Sequence, residues 1–477
     1  MGKSMGNRRR AARLTGATVL LAALVALAGA AGAARAAAGG GPPVEPTGRL
    51  VVMVAPPGKV GDGGVNDPSS AAGKRRARNR IAAVLRRTGL TATRSIPELG
   101  AATVDPSAGQ TLAGLRVLLE SQPGVTAVRP EYSRRVLYSP NDPGLASEDS
   151  TSPNEVRQWN LIREGFRRAW GYGHGEHAPL AVIDTGIDGT HADLSGRIVA
   201  AVNQVGSGGA KSDEYGHGTH VAGLACASGD NGYGMTGAAY RCPLIVEKAS
   251  SDGSLDDGTI AASILDATKR GARVINMSFG NGGTDPVVKN AIDYAWSHGV
   301  VMVAAAVNSH DTDQGYPAKY LQPDGTGQTL RSGKGLVVTG AYYNGNNAAT
   351  GYGTGISLAA YGFSTSSLPG IFSTFPANCT AIENAAVLPI LPCQKSSPPR
   401  TTFRGQERWA YLQGTSMATP QVAGAVAVLR GFRPRLSART VLTIVKEQAN
   451  GEWSSELGWG VLNAGKTLAY AKTHYRR

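Results

Sequence analysis

The sequence predicts an α/β protein with a central parallel sheet flanked by helices and a second, smaller α/β module ahead of it. Three observations carry that prediction. From residue 179 onward, short apolar runs at 180–183, 244–246, 274–277, 300–304 and 336–339 alternate with helical patterns near 218–227, 256–270 and 286–298. Near-continuous apolar strands joined through helices make a parallel sheet covered on both faces. Upstream, an apolar strand at 50–54, a basic helix at 71–88, a strand at 91–96, a helix near 110–122 and a strand at 125–128 describe a self-contained unit. Between the two, residues 138–154 are rich in Pro, Asp, Ser and Gly and read as an exposed linker.

Taken in order, the chain begins with Arg8, Arg9, Arg10 and Arg13, an apolar run over 17–30 and small residues around 34–38, the three parts of a secretory signal. The apolar run falls short of the roughly 20 residues a membrane span needs. Residues 1–38 are therefore expected to be removed on export to the extracellular space, and no later segment is apolar enough to span a membrane. Residues 39–137 then form the small module, 138–154 the linker and 155–477 the main domain, closed by helices near 416–430 and 438–448.

A formal charge of +14 would suggest a nucleic-acid partner if it were spread over the chain. Residues 1–140 hold 20 Lys/Arg and 7 Asp/Glu, leaving 28 and 27 for residues 141–477, so +13 lies upstream and +1 in the main domain. No nucleic-acid partner is expected. The four cysteines of an exported chain are disulfide candidates and allow three connectivities. Local pairing, Cys226 with Cys242 and Cys379 with Cys393, would close two short irregular stretches, with unpaired buried thiols the alternative. The absence of a C-x-x-C spacing argues against metal ligation by these cysteines.

Three residues stand where chemistry could be done. Asp184 ends the apolar strand Leu-Ala-Val-Ile and precedes Thr185-Gly186, a place a turn aspartate also occupies. His217 lies in GHGTHVAG, just before a small-residue helix, and an imidazole is the side chain that can serve as a base near neutral pH. His220 follows three residues later. A zinc hydrolase helix requires His at i and i+4 with an intervening Glu, so His220 reads as a packing or hydrogen-bonding residue. Ser416 lies in GTSMATP at the start of an apolar helix. It could be a plain cap, or a nucleophile whose helix N-terminus offers a backbone N–H to a developing oxyanion.

Together DTG, HGTH and GTSMATP, in the order Asp, His, Ser, resemble the subtilisin-like serine peptidases over residues 154–471. Ala418 stands where a G-x-S-x-G elbow would need its last glycine, which disfavours an α/β-hydrolase esterase. The resemblance implies Ser416 as nucleophile, His217 as general base and acid, Asp184 as the group that orients the imidazole, and an acyl-enzyme on Ser416. It also implies that Asn308, at the end of VVMVAAA, is an oxyanion donor. Here the sequence departs from the family: Val307 stands where a glycine is usual, and Ser309-His310 replace the usual Glu-Gly.

The same resemblance places substrate backbone along Ser278, Phe279 and Gly280 on one edge and Gly253 and Ser254 on the other, with Ala306 and Val307 on a pocket wall. Main-chain pairing of that kind gives broad specificity for peptide or protein substrates, and Val307 is expected to narrow the pocket toward small or medium side chains. The N-terminal module resembles the family's propeptide, an intramolecular chaperone and inhibitor with a ferredoxin-like fold, with self-cleavage expected between about 136 and 150. The expected product is a monomer. Residues 363–404 depart from the family as an extended insertion, stapled by Cys379 and Cys393; it either shapes the substrate groove or, the reading we favour, is a decorative surface loop. Met417, next to the nucleophile, is an expected target of oxidation. The chemistry requires no cofactor. Structural calcium is compatible with the Asp230-Asn231-Gly232 turn, which equally makes a plain turn, and no metal ligand is assigned. A dedicated maturation protease or exopeptidase of the same fold, and a non-catalytic peptide-binding relative, are the alternatives.

Overall fold

The computed structural model describes residues 45–54, 70–96, 99–133, 139–149, 152–206, 209–280, 283, 285–364, 370–386 and 399–475. The expected signal at 1–38 and the residues nearest the expected processing point, 134–138, lie outside them. The chain divides into two units, residues 1–136 and 137–477.

The first unit runs β1 (Glu45–Val54), α1 (Ala71–Thr88), β2 (Ala92–Ile96), β3 (Ala101–Val104), α2 (Leu112–Glu120) and β4 (Val125–Ser133). Its antiparallel sheet has the order β2-β3-β1-β4, a ferredoxin-like arrangement. Leu50, Val52, Val54, Ile81, Val84, Leu115, Leu119 and Val128 form its core. Ser70 starts α1 by accepting the Gly73 N–H at 3.0 Å, and Gly89, in the left-handed conformation at φ 69°, ends it. The sequence did not announce β3, because Ala-Ala-Thr-Val is only four residues long and half alanine, a residue depleted in strands.

The second unit opens with a hairpin, β5 (Glu148–Asp149) and β6 (Ser152–Val156). Its centre is a seven-stranded sheet of β7 (Leu180–Asp184), β8 (Ile198–Asn203), β9 (Leu244–Lys248), β10 (Val274–Met277), β11 (Val301–Ala305), β12 (Gly335–Ala341) and β13 (Leu358–Tyr361). The order is β13-β12-β11-β10-β7-β9-β8, and every pairing is parallel. Leu180 and Val182 point into one core with Val221, Ala222, Val422 and Val426, while Ala181 and Ile183 point into another with Ile260, Ile264 and Ile292. Both faces of each central strand are therefore buried, which is why these strands read as unbroken apolar runs. The first core is built against α3 (His217–Cys226) and, later in the chain, α6 (Thr415–Phe432); the second against α4 (Asp257–Lys269) and α5 (Pro286–Ser297). Helices α7 (Ala438–Glu447) and α8 (Ala464–His474) complete the unit.

Two expectations are corrected. The stretch 138–154 is not an exposed linker throughout: Pro140 and residues 142–145 are buried. Asp142 accepts the N–H groups of Asp230 and Asn231, Asn141 accepts that of Gly232 at 2.7 Å, and Gly144 donates to the Gly234 carbonyl at 2.9 Å. Short polar side chains that mark a linker by composition here satisfy the amides of a distant turn. The insertion at 363–404 is likewise not a mere surface loop. It contributes β14 (Ile371–Thr374), a helical turn at Ala381–Ala386 and β15 (Arg400–Phe403), which with β16 (Gln406–Leu412) makes a separate antiparallel sheet in the order β14-β16-β15. Cys226 and Cys242 are joined with their Cα atoms 5.9 Å apart. Cys379 is also disulfide-bonded, and Cys393 lies outside the described residues.

Candidate active site

Because β7, β10 and β11 run parallel and adjacent, the residues leaving their carboxyl ends share one edge of the sheet: Asp184, Ser278 and, after one further buried alanine and Val307, Asn308. Ligands in open parallel sheets bind at this edge. Helices α3 and α6 bring His217 and Ser416 to it from one face.

Asp184 is 3% exposed; its Oδ1 accepts the His217 Nδ1–H at 2.8 Å and the Thr185 N–H at 2.8 Å. That approach depends on Gly218. A Cβ there would sit 2.1 Å from the Gly186 carbonyl oxygen and 3.2 Å from the Asp184 Cβ, so any larger residue would push α3 off the end of β7. Burial opposes a charge on His217, but the Asp184 carboxylate and, further off, that of Asp213 outweigh it and hold the imidazole above its ordinary pKa. His220, by contrast, is wholly buried and pushed down to about 3 by burial and by the charge of His217. Its Nε2 donates to the carbonyls of Ile371 and Ala410 at 3.0 and 3.3 Å, the hydrogen-bonding role expected for it.

Asp213 was not foreseen. Its Oδ1 accepts Thr185 Oγ1–H and the Gly216 N–H, both at 2.8 Å, and its Oδ2 accepts the Thr219 N–H at 2.8 Å and Oγ1–H at 2.6 Å. Thr185 Oγ1 in turn accepts the Gly218 N–H at 2.9 Å. One buried carboxylate thus ties the residues on both sides of His217 to the residue after Asp184. Burial pushes Asp213 up to about 6 against these donors. The available signal was an acid four residues before a candidate base, in a polar loop where acids are ordinarily solvated.

Ser416 is the second residue of α6. Its hydroxyl donates to the Ser278 carbonyl at 2.9 Å, not to His217, and Ser278 Oγ donates back to the Ser416 carbonyl at 3.0 Å. The Ser416 N–H has no intramolecular partner among the described residues. Asn308 is oriented beside it: its Oδ1 accepts the Thr415 N–H at 2.9 Å and Oγ1–H at 3.0 Å, and its Nδ2 group has no partner among the described residues. Gly414, at φ 146°, makes room for this contact, since a Cβ there would lie 3.3 Å from Asn308 Oδ1. Two donors next to a serine hydroxyl, with an Asp–His pair at the same sheet edge, are the groups that acyl transfer requires.

Residues 175–460 match the model of the Subtilase family. The chain belongs to the subtilase family. It is similar to fervidolysin of Fervidobacterium pennivorans, 30% identical over 381 residues that cover 72% of this chain and 50% of fervidolysin. It is also similar to thermitase of Thermoactinomyces vulgaris, 30% identical over 337 residues that cover 70% of this chain and 100% of thermitase. This subtilase therefore spans half the length of one relative and the whole of the other. Among solved structures, a protease of Pseudoalteromonas arctica superposes with a TM-score of 0.56 at 25% identity, over 70% of this chain and 100% of that one. The enzyme is a subtilisin-like serine peptidase, a hydrolase of peptide bonds.

A cavity of about 150 Å³ opens beside the Asp–His pair, lined by Asp184, Thr185, Tyr215, His217, Gly253, Leu255, Ser278 and Phe279. Gly253, Ser278 and Phe279 were expected there; Thr185, Tyr215 and Leu255 were not. Ser254, Gly280, Ala306 and Val307 are outside that lining. The Val307 carbonyl accepts the Gly351 N–H at 2.9 Å. Tyr215 bounds the cavity, packed against Gly253, where a Cβ would meet its ring at 2.6 Å. Met417 is 1% exposed. Among the described residues no group of three or more His, Cys, Asp or Glu could hold a metal ion, and no helix is long and apolar enough to cross a membrane. The oxygens of Asn141 and Asp142 beside the Asp230–Gly232 turn already accept its amide hydrogens.

Proposed function

We propose that this subtilase is a secreted endopeptidase, made as a precursor that cleaves itself, and that it works through Asp184, His217 and Ser416. The reading rests on the 2.8 Å Asp184–His217 bond beside a serine flanked by two free donors. In the reaction the Ser416 hydroxyl turns from Ser278 to His217, gives up its proton to Nε2 and attacks the substrate carbonyl carbon. Asp184 stabilises the resulting imidazolium. The tetrahedral oxyanion accepts hydrogen bonds from the Ser416 N–H and Asn308 Nδ2. His217 then returns the proton to the leaving amine, and water, deprotonated by the same imidazole, releases the acyl group. An extended peptide pairs its backbone with residues 278–280 and 253–254, and Tyr215, Leu255 and Phe279 form apolar walls for one side chain. The ferredoxin-like unit acts as an inhibiting propeptide.

Ser416→Ala should leave the precursor uncleaved and lower turnover of a peptide substrate by about 10⁴-fold or more. Labelling of the wild-type enzyme, and not the variant, by a fluorophosphonate checks the nucleophile. A variant that matures normally would overturn this reading.

A further inference from the structure

At the opposite, amino-terminal edge of the sheet, an open depression of about 400 Å³ is lined by Arg273, Arg430, Arg435 and Arg439 with Trp296 and the start of α7. Arg273 immediately precedes β10 and Gly299 lies just ahead of β11, so the depression is at the far end of the strands that carry Asp184 and Asn308. It takes no part in the acyl-transfer site.

Three of its arginines, Arg273, Arg430 and Arg439, are held by neutral groups. Arg273 donates to the Pro434 carbonyl at 2.8 Å. Arg430, 3% exposed, donates to the carbonyls of Leu436 at 2.7 Å and of Gly299, and its Nε is buried without a partner. Arg439 donates to the carbonyls of Arg331 at 2.7 Å and of Gly333, with its guanidinium 4.7 Å over the Trp296 ring. Among the described residues none of these three is paired with a carboxylate. The contrast is with buried Arg400, which is paired with Glu383, and with Arg408, paired with Asp188. A buried guanidinium without a counter-ion is costly.

The surroundings register that excess charge. Arg430 is pushed down to about 10 by burial and by Arg273, and Lys446, on the same helix as Arg439, down to about 8 by burial and by Arg439. The ten-residue α7 adds its N-terminus to the lining through Ser437, Ala438 and Arg439, where first-turn N–H groups and the helix dipole favour an anion. The cluster is no by-product of a generally basic domain, since residues 141–477 balance 28 Lys/Arg against 27 Asp/Glu.

We propose that this depression binds a tetrahedral oxyanion, phosphate or sulfate, free in solution or carried as an ester on a polymer. Planar guanidiniums and helix N–H groups match its oxygens in number and geometry. Bound there, the anion would serve as the counter-ion that the fold omits and stabilise the end of the sheet remote from catalysis.

The test uses the full chain carrying Ser416→Ala, which cannot digest itself, at constant ionic strength set with chloride. Inorganic phosphate should raise Tm logarithmically, with stabilisation growing as the logarithm of one plus concentration over an apparent Kd of about millimolar. Adding Arg273→Gln and Arg439→Gln should weaken that binding at least tenfold; if that pair fails to fold, Arg435→Gln, at an exposed position, replaces it. Retention on immobilised heparin gives the second arm. A logarithmic phosphate effect lost in the variant assigns the free ion, and variant-sensitive retention on heparin assigns the polymer-borne ester. A Tm that rises linearly with concentration, or equally in the variant, together with unchanged heparin retention, reduces the effect to general salting-out and overturns the proposal.

Discussion

The turn that carries His217 is held from two sides, and the two sides differ in kind. Beneath it lie Asp184, Thr185 and Asp213, side chains at the end of a buried parallel strand and in the loop that precedes α3. Above it lies the insertion, whose contacts are mostly backbone: Ala381 N–H donates to the Glu214 carbonyl at 2.9 Å, Ile382 N–H to the Tyr215 carbonyl at 3.3 Å, and Thr374 Oγ1–H to the Thr219 carbonyl at 2.7 Å. The Phe375 ring and Thr380 close on Gly216, where a Cβ would meet them at 2.9 and 3.1 Å. The lower side supplies charge and orientation to the imidazole. The upper side fixes where the turn and Tyr215 stand, and so belongs to stability and substrate fit.

The largest effect that separates the two sides comes from the insertion's own anchor. Arg400 and Glu383 are 0% and 3% exposed and joined in a fork, Nε to Oε1 at 2.6 Å and Nη2 to Oε2 at 2.8 Å. Arg400→Leu leaves a buried carboxylate alone and should cost about 3–5 kcal/mol of stability, read as a lowered denaturation midpoint. Turnover at low temperature should remain near the parent value. A kcat that falls a hundredfold while the protein stays folded would break the division of labour. Arg400→Met with Glu383→Gln, which removes both charges, should recover much of the loss.

On the lower side, Asn308→Ala should reduce kcat by about 10² to 10³ with little change in KM, a range measured for this donor in a subtilisin rather than deduced from this chain. Stability should barely move, because the Thr415 N–H that Asn308 accepts lies in the first turn of α6, where water can replace the partner. Loss of both activity and fold would show that Asn308 is a structural cap.

The pH profile sharpens the role of charge. His217 must be neutral to act as base, and its folded pKa is raised, so the acid limb of kcat/KM should lie above the ordinary imidazole value of about 6.5. Asp213 contributes to that rise. Asp213→Asn removes a negative charge that favours the imidazolium, so the limb should shift toward lower pH, while Asn keeps an acceptor for Thr219. An unmoved limb with reduced stability would make Asp213 a structural residue of the loop alone.

How far this was legible follows the same division. The strands that place the site announced themselves because both of their faces are buried, as at 274–277, and the glycines of HGTH and GTSMATP flagged the backbone approaches that Gly218 and Gly414 require. What escaped depends on pairings distant in sequence. Half-exposed β8, with Val199 64% exposed, lacks the continuous apolar run of a central strand. The Asp142 side chain reads as linker until the 230–231 amides reach it. The insertion's order comes from a buried Arg–Glu pair 17 residues apart and from carbonyls at 214–215; neither leaves a periodic trace. Asp213 is hidden for the same reason, since burial of one acid in Lys-Ser-Asp-Glu-Tyr is decided by α3 and β7 and not by its neighbours.

The smallest effect is the most direct test of the upper side. Ala381 is the first residue of its helical turn, where a proline is tolerated because its fixed φ suits a helix start. Ala381→Pro therefore removes one N–H, the donor to the Glu214 carbonyl, without adding strain to the helix. The expected loss is about 1 kcal/mol, the net worth of one ordinary hydrogen bond. If the insertion positions Tyr215, the change should appear as a few-fold rise in KM for substrates whose side chain fills the cavity beside it. The acid limb of the pH profile should stay in place, because Asp184 and Asp213 are untouched. A shifted limb with constant KM would mean that the insertion acts on the imidazole itself, and the two sides of the turn would then be one device.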